Sequence, residues 1–357
     1  MDRKLRIGLL YSRSGEYAAM SAACRDGALA AVADINADPG QGITIEVVER
    51  DPAGNLDLYG PLCAEMLAEG DLHHVVGCIT SSSRKEVIPA LEKVGGMLWY
   101  ACPYEGFEAS DRVIYTHACP NQHLLPLLHW TFPRYGKRGF LVGSNYIWGW
   151  EMNRVAREVI GSSGGDVTGE RYLPLGDTDV GRLIEEIRAT EPDFILNNLI
   201  GNSSHAFLRA LRELRETDPA FAEGLCPVLS CNLTECETPA LGAAAEGAVS
   251  AGPHFAGSTL WKPVGRRRPV SSYAAAAYVA VTTLARIEAA RSGFPEGLRA
   301  HGIDPETHHM ALPVLIARVE EGQFRVMHSE GAVEADPYLA RRERWPGATR
   351  PMLKLVP

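Results

Sequence analysis

Short apolar runs alternate along the chain with longer stretches whose apolar positions recur every three or four residues, the signatures of strands and amphipathic helices. Residues 5–11 read as a buried strand that ends in the turn Ser12-Arg13-Ser14-Gly15. An alanine-rich helix over 18–37 follows and is stopped by Pro39-Gly40. Residues 43–49 alternate as a strand, Asp51-Pro52-Ala53-Gly54-Asn55 is a loop, 58–69 a helix and 73–78 a strand. The next helix opens on a capping-box pattern, Ser83 with Glu86. Strands at 97–100 and 113–115 complete a first unit. A second unit repeats the grammar: helix 124–132, strand 139–142, a strand-end loop at 144–150, helix 151–160, strand 167–172, helix 180–190, strand 194–199, helix 205–215, then strands 227–230 and 248–251. A helix over 271–291 and a hairpin-like pair, 314–320 and 323–327, end the pattern.

Strand–helix alternation argues for parallel sheets covered by helices on both faces. Two such units make two Rossmann-like lobes joined by a hinge, an α/β architecture with a cleft between the lobes. The late elements must pack back, so the chain crosses between lobes more than once. The first lobe is expected to take 1–117 plus about 253–311, and the second 118–252 plus about 312–357. The length of 357 residues fits two domains, and 46% hydrophobic residues allow a large core.

A net charge of −9 argues against direct nucleic-acid binding, which needs basic surface to neutralise phosphates. The basic run Arg266-Arg267-Arg268 sits beside prolines and reads as a solvated loop. None of the eight cysteines forms a C-x-x-C pair, and several lie in apolar strands or helices, where a thiol acts as a small hydrophobe. That usage points to a reducing compartment. Met1 is followed at once by charged residues, with no apolar stretch and cleavage site before the first strand and no run long enough to span a membrane. The expectation is a cytoplasmic protein; a periplasmic one is the alternative if a signal peptide has been trimmed.

The chemistry concentrates at strand ends. Gly77-Cys78-Ile79-Thr80-Ser81-Ser82-Ser83 carries a strand into a hydroxyl-rich turn and then a helix. Trp99-Tyr100-Ala101-Cys102-Pro103-Tyr104 ends the next strand in aromatics and a proline turn. Open α/β sheets hold ligands at that edge. Ser81, with Ile79 and Thr80 beside it, and the free N–H groups of the helix start are placed to grip a ligand carbonyl. Tyr100, Cys102 and Pro103 extend the wall. Tyr146 and Trp148 occupy the matching strand-end loop of the second unit. Gly201, Asn232 and Thr234 lie on further strand-end loops there. These groups are uncharged and suit a small, neutral, polar ligand. An amino-acid receptor would need an acid for the ammonium group, which Glu235 can supply. P-loop, GxGxxG, GxSxG and HExxH motifs are absent, and the pairs His73-His74 and His308-His309 diverge on any regular element. No metal or cofactor is expected. Cys102 has no histidine near it in sequence to activate it as a nucleophile, so a non-enzyme is expected and a Cys102 hydrolase is the lesser alternative.

These segments resemble type I periplasmic-binding-protein-like receptors. The general match is Ile7-Gly8-Leu9-Leu10, 12–15, 30–36 and 51–55. Within that family the chain is most similar to the AmiC-type amide sensors, which negatively regulate aliphatic amidase operons. The similarity rests on Val76-Gly77-Cys78, Ser83-Arg84-Lys85-Glu86-Val87-Ile88-Pro89, Pro103-Tyr104-Glu105-Gly106-Phe107-Glu108, Pro120-Asn121-Gln122 and Gly143-Ser144-Asn145-Tyr146-Ile147. It covers roughly 5–256 well and the tail poorly; Trp261-Lys262-Pro263 and the arginine run stand where the family has a helix. The resemblance implies a type I periplasmic binding protein fold that closes on a small amide between the lobes. It puts Ser81, Tyr100, Cys102 and Pro103 on one wall and Tyr146 and Trp148 on the other. The amide sensors have Thr at Cys102 and Tyr at Ile79 and Trp148, which opens the pocket to a bulkier or less polar amide, or urea. The resemblance further implies an RNA-binding antitermination partner (AmiR type), since the chain itself shows no nucleic-acid module. A homo-oligomer stays open. The alternative function is the solute receptor of an ABC importer for urea, short amides or branched-chain amino acids.

Overall fold

A computed structural model describes residues 3–108, 110–222, 224–258, 270–290 and 293–340. The readings made above for 261–263 and 266–268 lie outside the described residues.

The first sheet is all parallel, with strand order β2-β1-β3-β4-β5. It comprises β1 (Arg3–Leu10), β2 (Ile43–Arg50), β3 (His74–Gly77), β4 (Met97–Tyr100) and β5 (Val113–Tyr115). The apolar runs of β3, β4 and β5 are buried along their whole length, as a sheet covered on both faces requires. Its connections are α1 (Ala18–Asn36), α2 (Tyr59–Leu67) and α3 (Ser81–Val94). The late helix α9 (Ser272–Ala290) returns to this lobe and packs on α1, with α10 (Phe294–Ala300) beside it. The two long helices come very close, because a Cβ on Gly27 would stand 2.1 Å from the Ala274 carbonyl oxygen.

The second sheet has the order β12-β11-β10-β9-β8-β6-β7. Five strands are parallel: β6 (Arg138–Ser144), β7 (Asp166–Leu173), β8 (Phe194–Asn198), β9 (Val228–Ser230) and β10 (Val249–Gly252). The hairpin β11 (Leu312–Glu320) and β12 (Gln323–Val333) joins them antiparallel, so this sheet is mixed rather than parallel throughout. Helices α4 (Leu124–Tyr135), α5 (Ile147–Ser162), α6 (Gly181–Thr190), α7 (Gly201–Thr217) and the short α8 (Thr238–Leu241) cover it. The expected α/β class with two Rossmann-like lobes is what the chain forms.

The chain passes between lobes after β5, after β10, before β11 and after β12. The last passage brings the Pro337 carbonyl to the Phe107 N–H and the Tyr338 hydroxyl to the Glu108 carbonyl, both at 2.8–3.1 Å. Three helix starts differ from the sequence reading. α3 is capped by Thr80, whose hydroxyl accepts from the Ser83 N–H at 3.1 Å, so the box is Thr80 with Ser83 rather than Ser83 with Glu86. α5 and α7 begin earlier than the periodicity predicts. First turns carry free N–H groups and tolerate polar or aromatic residues, so they lack the apolar period that marks a helix.

Candidate functional site

The carboxyl ends of the parallel strands in both sheets meet across one cleft, the edge at which open α/β sheets place ligands. β3 runs into Ile79 and Ser81, and Cys78, directly after the strand, takes a left-handed backbone (φ 65°) that turns the chain sharply. β4 supplies Tyr100 as its last residue and Pro103 just beyond. From the second lobe come Tyr146 and Trp148 after β6, Ile200 after β8 and Asn232 after β9. Met20 on α1 and Tyr273 on α9 add to the lining, which contains no charged residue among the described residues. With the lobes this close, the free space left at the centre of the cleft is about 20 Å³, and the cleft stays open to one side. One water needs roughly 10–15 Å³, and drug-sized sites run to hundreds.

The polar lining has a definite sense. Ser81 Oγ donates its proton to Glu105 Oε2 at 2.7 Å. The Tyr100 hydroxyl donates to the Ile79 carbonyl at 2.7 Å, and the Tyr273 hydroxyl to the Asn232 carbonyl at 3.2 Å. Carbonyl and carboxylate oxygens only accept, so all three protons are committed. What these hydroxyls have left to offer is lone pairs. On the opposite wall the Trp148 indole N–H is buried with no partner among the described residues. Burial pushes the Tyr100 and Tyr146 phenols well above their ordinary range, so both stay neutral.

Behind Ser81 lies a buried ion pair. Arg84 Nη2 stands 2.6 Å from Glu105 Oε1, with side-chain exposures of 0% and 2%. The guanidinium also faces the rings of Tyr100, Tyr104 and Tyr115 at 4.9, 4.8 and 5.8 Å. Such ring contacts favour a desolvated cation. Removing one partner of a buried pair costs about 3–5 kcal/mol, because the other charge is stranded.

Seven of the sequence-predicted residues line the cleft: Ile79, Ser81, Tyr100, Pro103, Tyr146, Trp148 and Asn232. Four others lie elsewhere. Thr80 is the α3 cap. The Cys102 thiol turns inward to the Cys78 carbonyl and to Cys24 Sγ, at 3.6 and 3.9 Å, and burial raises its pKa well above the ordinary thiol. Thr234 Oγ1 lies 3.2 Å from Cys236 Sγ. Gly201 starts α7 with φ 60° and touches Glu16 of the first lobe. Glu235 is absent from the lining; its Oε1 accepts from the Ala256 N–H at 2.6 Å. The sequence reading missed Met20, Ile200, Tyr273 and Glu105. Ile200 follows a strand directly and was open to the same strand-end logic. Tyr273 and Met20 come from helices whose placement only the packing of α9 on α1 reveals.

The lobes touch around this cleft. Glu16 accepts from the Asn202 backbone and side-chain N–H groups at 3.1 and 3.2 Å. The Arg154 guanidinium lies 4.8 Å over the Phe107 ring. Among the described residues no group of three or more His, Cys, Asp or Glu is placed to hold a metal, and no helix is long and apolar enough to cross a membrane. A larger cavity of about 820 Å³ lies between α4 and β12, lined by groups including His129, Trp130, Arg134 and Glu330. It shares no lining residue with the cleft.

A family profile described as a periplasmic binding protein domain matches residues 5–287. Several solved structures share the architecture. A solute-binding protein of an ABC transporter from R. palustris, in complex with 4-hydroxybenzoate, superposes with a TM-score of 0.79 at 20% identity, covering 95% of this chain and 100% of that one. A second from R. palustris, with benzoate, gives 0.76 at 16% identity, covering 94% and 98%. A branched-chain amino acid transporter substrate-binding protein from Streptococcus pneumoniae, with isoleucine, gives 0.74 at 17%, covering 93% and 100%. At these identities the likeness is one of fold.

Proposed function

The chain belongs to the periplasmic binding protein domain family, and from that premise we propose that it is a binding protein, not an enzyme, whose lobes close over a small uncharged ligand bearing N–H donors: a short aliphatic amide or urea. The observation that carries this reading is the committed protons of Ser81, Tyr100 and Tyr273, which leave the first lobe's wall as uncharged acceptors facing two donors of the second lobe, the Trp148 indole N–H and the neutral Tyr146 hydroxyl. An amide NH₂ meets the acceptors and its carbonyl meets the Trp148 N–H. The ligand carbonyl is thus not the group that Ser81 Oγ holds. A carboxylate would set one oxygen's lone pairs against those of Ser81, Tyr100 and Tyr273 and strand its charge, at a cost of about 1–3 kcal/mol or more. The cleft therefore departs from the benzoate and isoleucine ligands of the similar structures.

The architecture supports the receptor of an ABC importer for such a solute, since the similar solved proteins are transporter binding proteins. That role belongs in the periplasm. The second reading is a cytoplasmic amide sensor controlling an amidase operon through an RNA-binding antitermination protein. It is favoured by the segment Pro103-Tyr104-Glu105, which carries the resemblance and supplies both a wall residue and the buried pair behind Ser81.

Calorimetric titration with acetamide, propionamide, butyramide, urea, leucine and benzoate tests the ligand class. Heat with the amides or urea, abolished in Ser81→Ala, is the expected result. Binding of leucine or benzoate alone overturns it. Capture of an RNA-binding protein that is released by amide would select the sensor over the receptor.

A further inference from the structure

Glu105 contributes no surface to the cleft, yet it fixes what the cleft can recognise. It is 1% exposed and each of its two oxygens has one assigned partner. Oε1 takes the Arg84 guanidinium and Oε2 takes the Ser81 proton, at 2.6 and 2.7 Å. Arginine can only donate and a carboxylate can only accept, so neither bond can be reversed. Arg84 cannot drift, because it is held against three tyrosine rings. A serine hydroxyl in a cleft ordinarily rotates to donate or accept as its ligand demands. This one is denied that choice.

We infer that Glu105, anchored by Arg84, is a positioning residue that locks the Ser81 hydroxyl as an acceptor and so sets the cleft's preference for N–H-bearing ligands over carboxylates. The inference rests on the proposed amide-binding role of the cleft. The lock has a specific way of failing. In Glu105→Gln the Arg84 guanidinium still demands an oxygen, so the amide oxygen stays on Arg84 and the NH₂ turns to Ser81. Ser81 Oγ then accepts from that NH₂, and its own proton is released toward the cleft. The same hydroxyl becomes a donor without any change in the lining residues.

The experiment is calorimetric titration of the full chain with acetamide and with acetate, comparing wild type, Glu105→Gln and Glu105→Asp. The expected result is at least a tenfold fall in the acetamide-to-acetate affinity ratio in Glu105→Gln, with acetate affinity itself rising. A structural defect alone would weaken both probes together and leave the ratio unchanged. Glu105→Asp keeps the charge beside Arg84 and shortens the reach to Ser81, so it covers a Gln variant that does not fold. In it the Ser81 proton also loses its fixed acceptor, so the acetamide-to-acetate ratio is expected to fall in the same direction, by less than in Glu105→Gln because the negative charge remains. An unchanged ratio in Glu105→Gln overturns the inference; so does an unchanged ratio in Glu105→Asp if the Gln variant does not fold. Absence of acetamide binding by the wild type would instead sink the amide reading itself.

Discussion

Glu235 shows how much a single side chain's surroundings matter. Burial pushes its carboxyl from an ordinary 4.5 up to about 7, while the Ala256 N–H offsets part of that. Its other oxygen, Oε2, is buried without a partner among the described residues. Between those two pH values the folded chain keeps a proton that the unfolded chain has released. The stabilisation is therefore complete below about pH 4.5 and is lost as pH rises through 7, amounting to about 1–3 kcal/mol. Glu235→Gln removes the titration. Its melting temperature should match wild type near pH 5 and exceed it by several degrees at pH 8, measured by differential scanning calorimetry. A constant offset across that range would mean that the carboxyl is ionised throughout. The residue type invited an ammonium-binding role, but the fold seats it against the Ala256 backbone instead.

At the scale of an element, the start of α7 does more than its sequence promised. Gly201-Asn202-Ser203-Ser204 reads as a polar loop, yet it is the first turn of a helix and the second lobe's contact with Glu16. Gly201 holds a left-handed backbone, and a Cβ there would stand 2.2 Å from the Glu16 carbonyl oxygen. That oxygen belongs to the other lobe's backbone and has no side-chain freedom to yield. Gly201→Ala should block closure, lowering acetamide affinity at least tenfold, equivalent to about 1.4 kcal/mol. Small-angle scattering should then show no ligand-induced contraction. The unliganded melting temperature should drop by only a few degrees, since an alanine in that conformation costs about 1–2 kcal/mol. Full affinity with normal contraction would mean that the lobes do not close through this contact. α3 teaches the same lesson in miniature. Its capping box uses Thr80 and Ser83, one of several hydroxyl spacings that the run from Thr80 to Ser83 permits.

Across the whole molecule, two lobes and a long returning helix bury titratable groups that no local pattern reveals. Burial lowers His74 and His123 to about 4 and His309 to about 3, and it takes His117 well below 6.5. These rings are neutral in the folded chain and take up protons on unfolding below pH 6.5. Their stabilisation is present above that value and is lost as pH falls toward 4, each ring contributing about 1.4 kcal/mol for every tenfold loss of proton affinity on folding. Glu235 acts in the opposite sense, but it is one proton against four. Denaturant midpoints should therefore level off above about pH 7 and fall steeply from there toward pH 5. A midpoint flat from pH 7 to 5 would show that these histidines are already charged or exposed in the native state.

The sequence by itself determined the alternation of strands and helices, hence the α/β class, the two lobes and the strand ends as the place for a ligand. Those features follow from hydrophobic period, which is local and survives without knowledge of neighbours. It also marked Ser81, Tyr100, Pro103, Tyr146 and Trp148, because a strand end is visible wherever an apolar run stops at polar or aromatic residues. Only the tertiary structure decided that Cys102 turns away from the cleft, that Tyr273 from a distant helix joins it, and that the second sheet ends in an antiparallel hairpin. Above all, it decided the direction of each hydroxyl's hydrogen bond. That direction depends on a partner such as Glu105, which stands 24 residues from Ser81 in the chain and 2.7 Å from it in space.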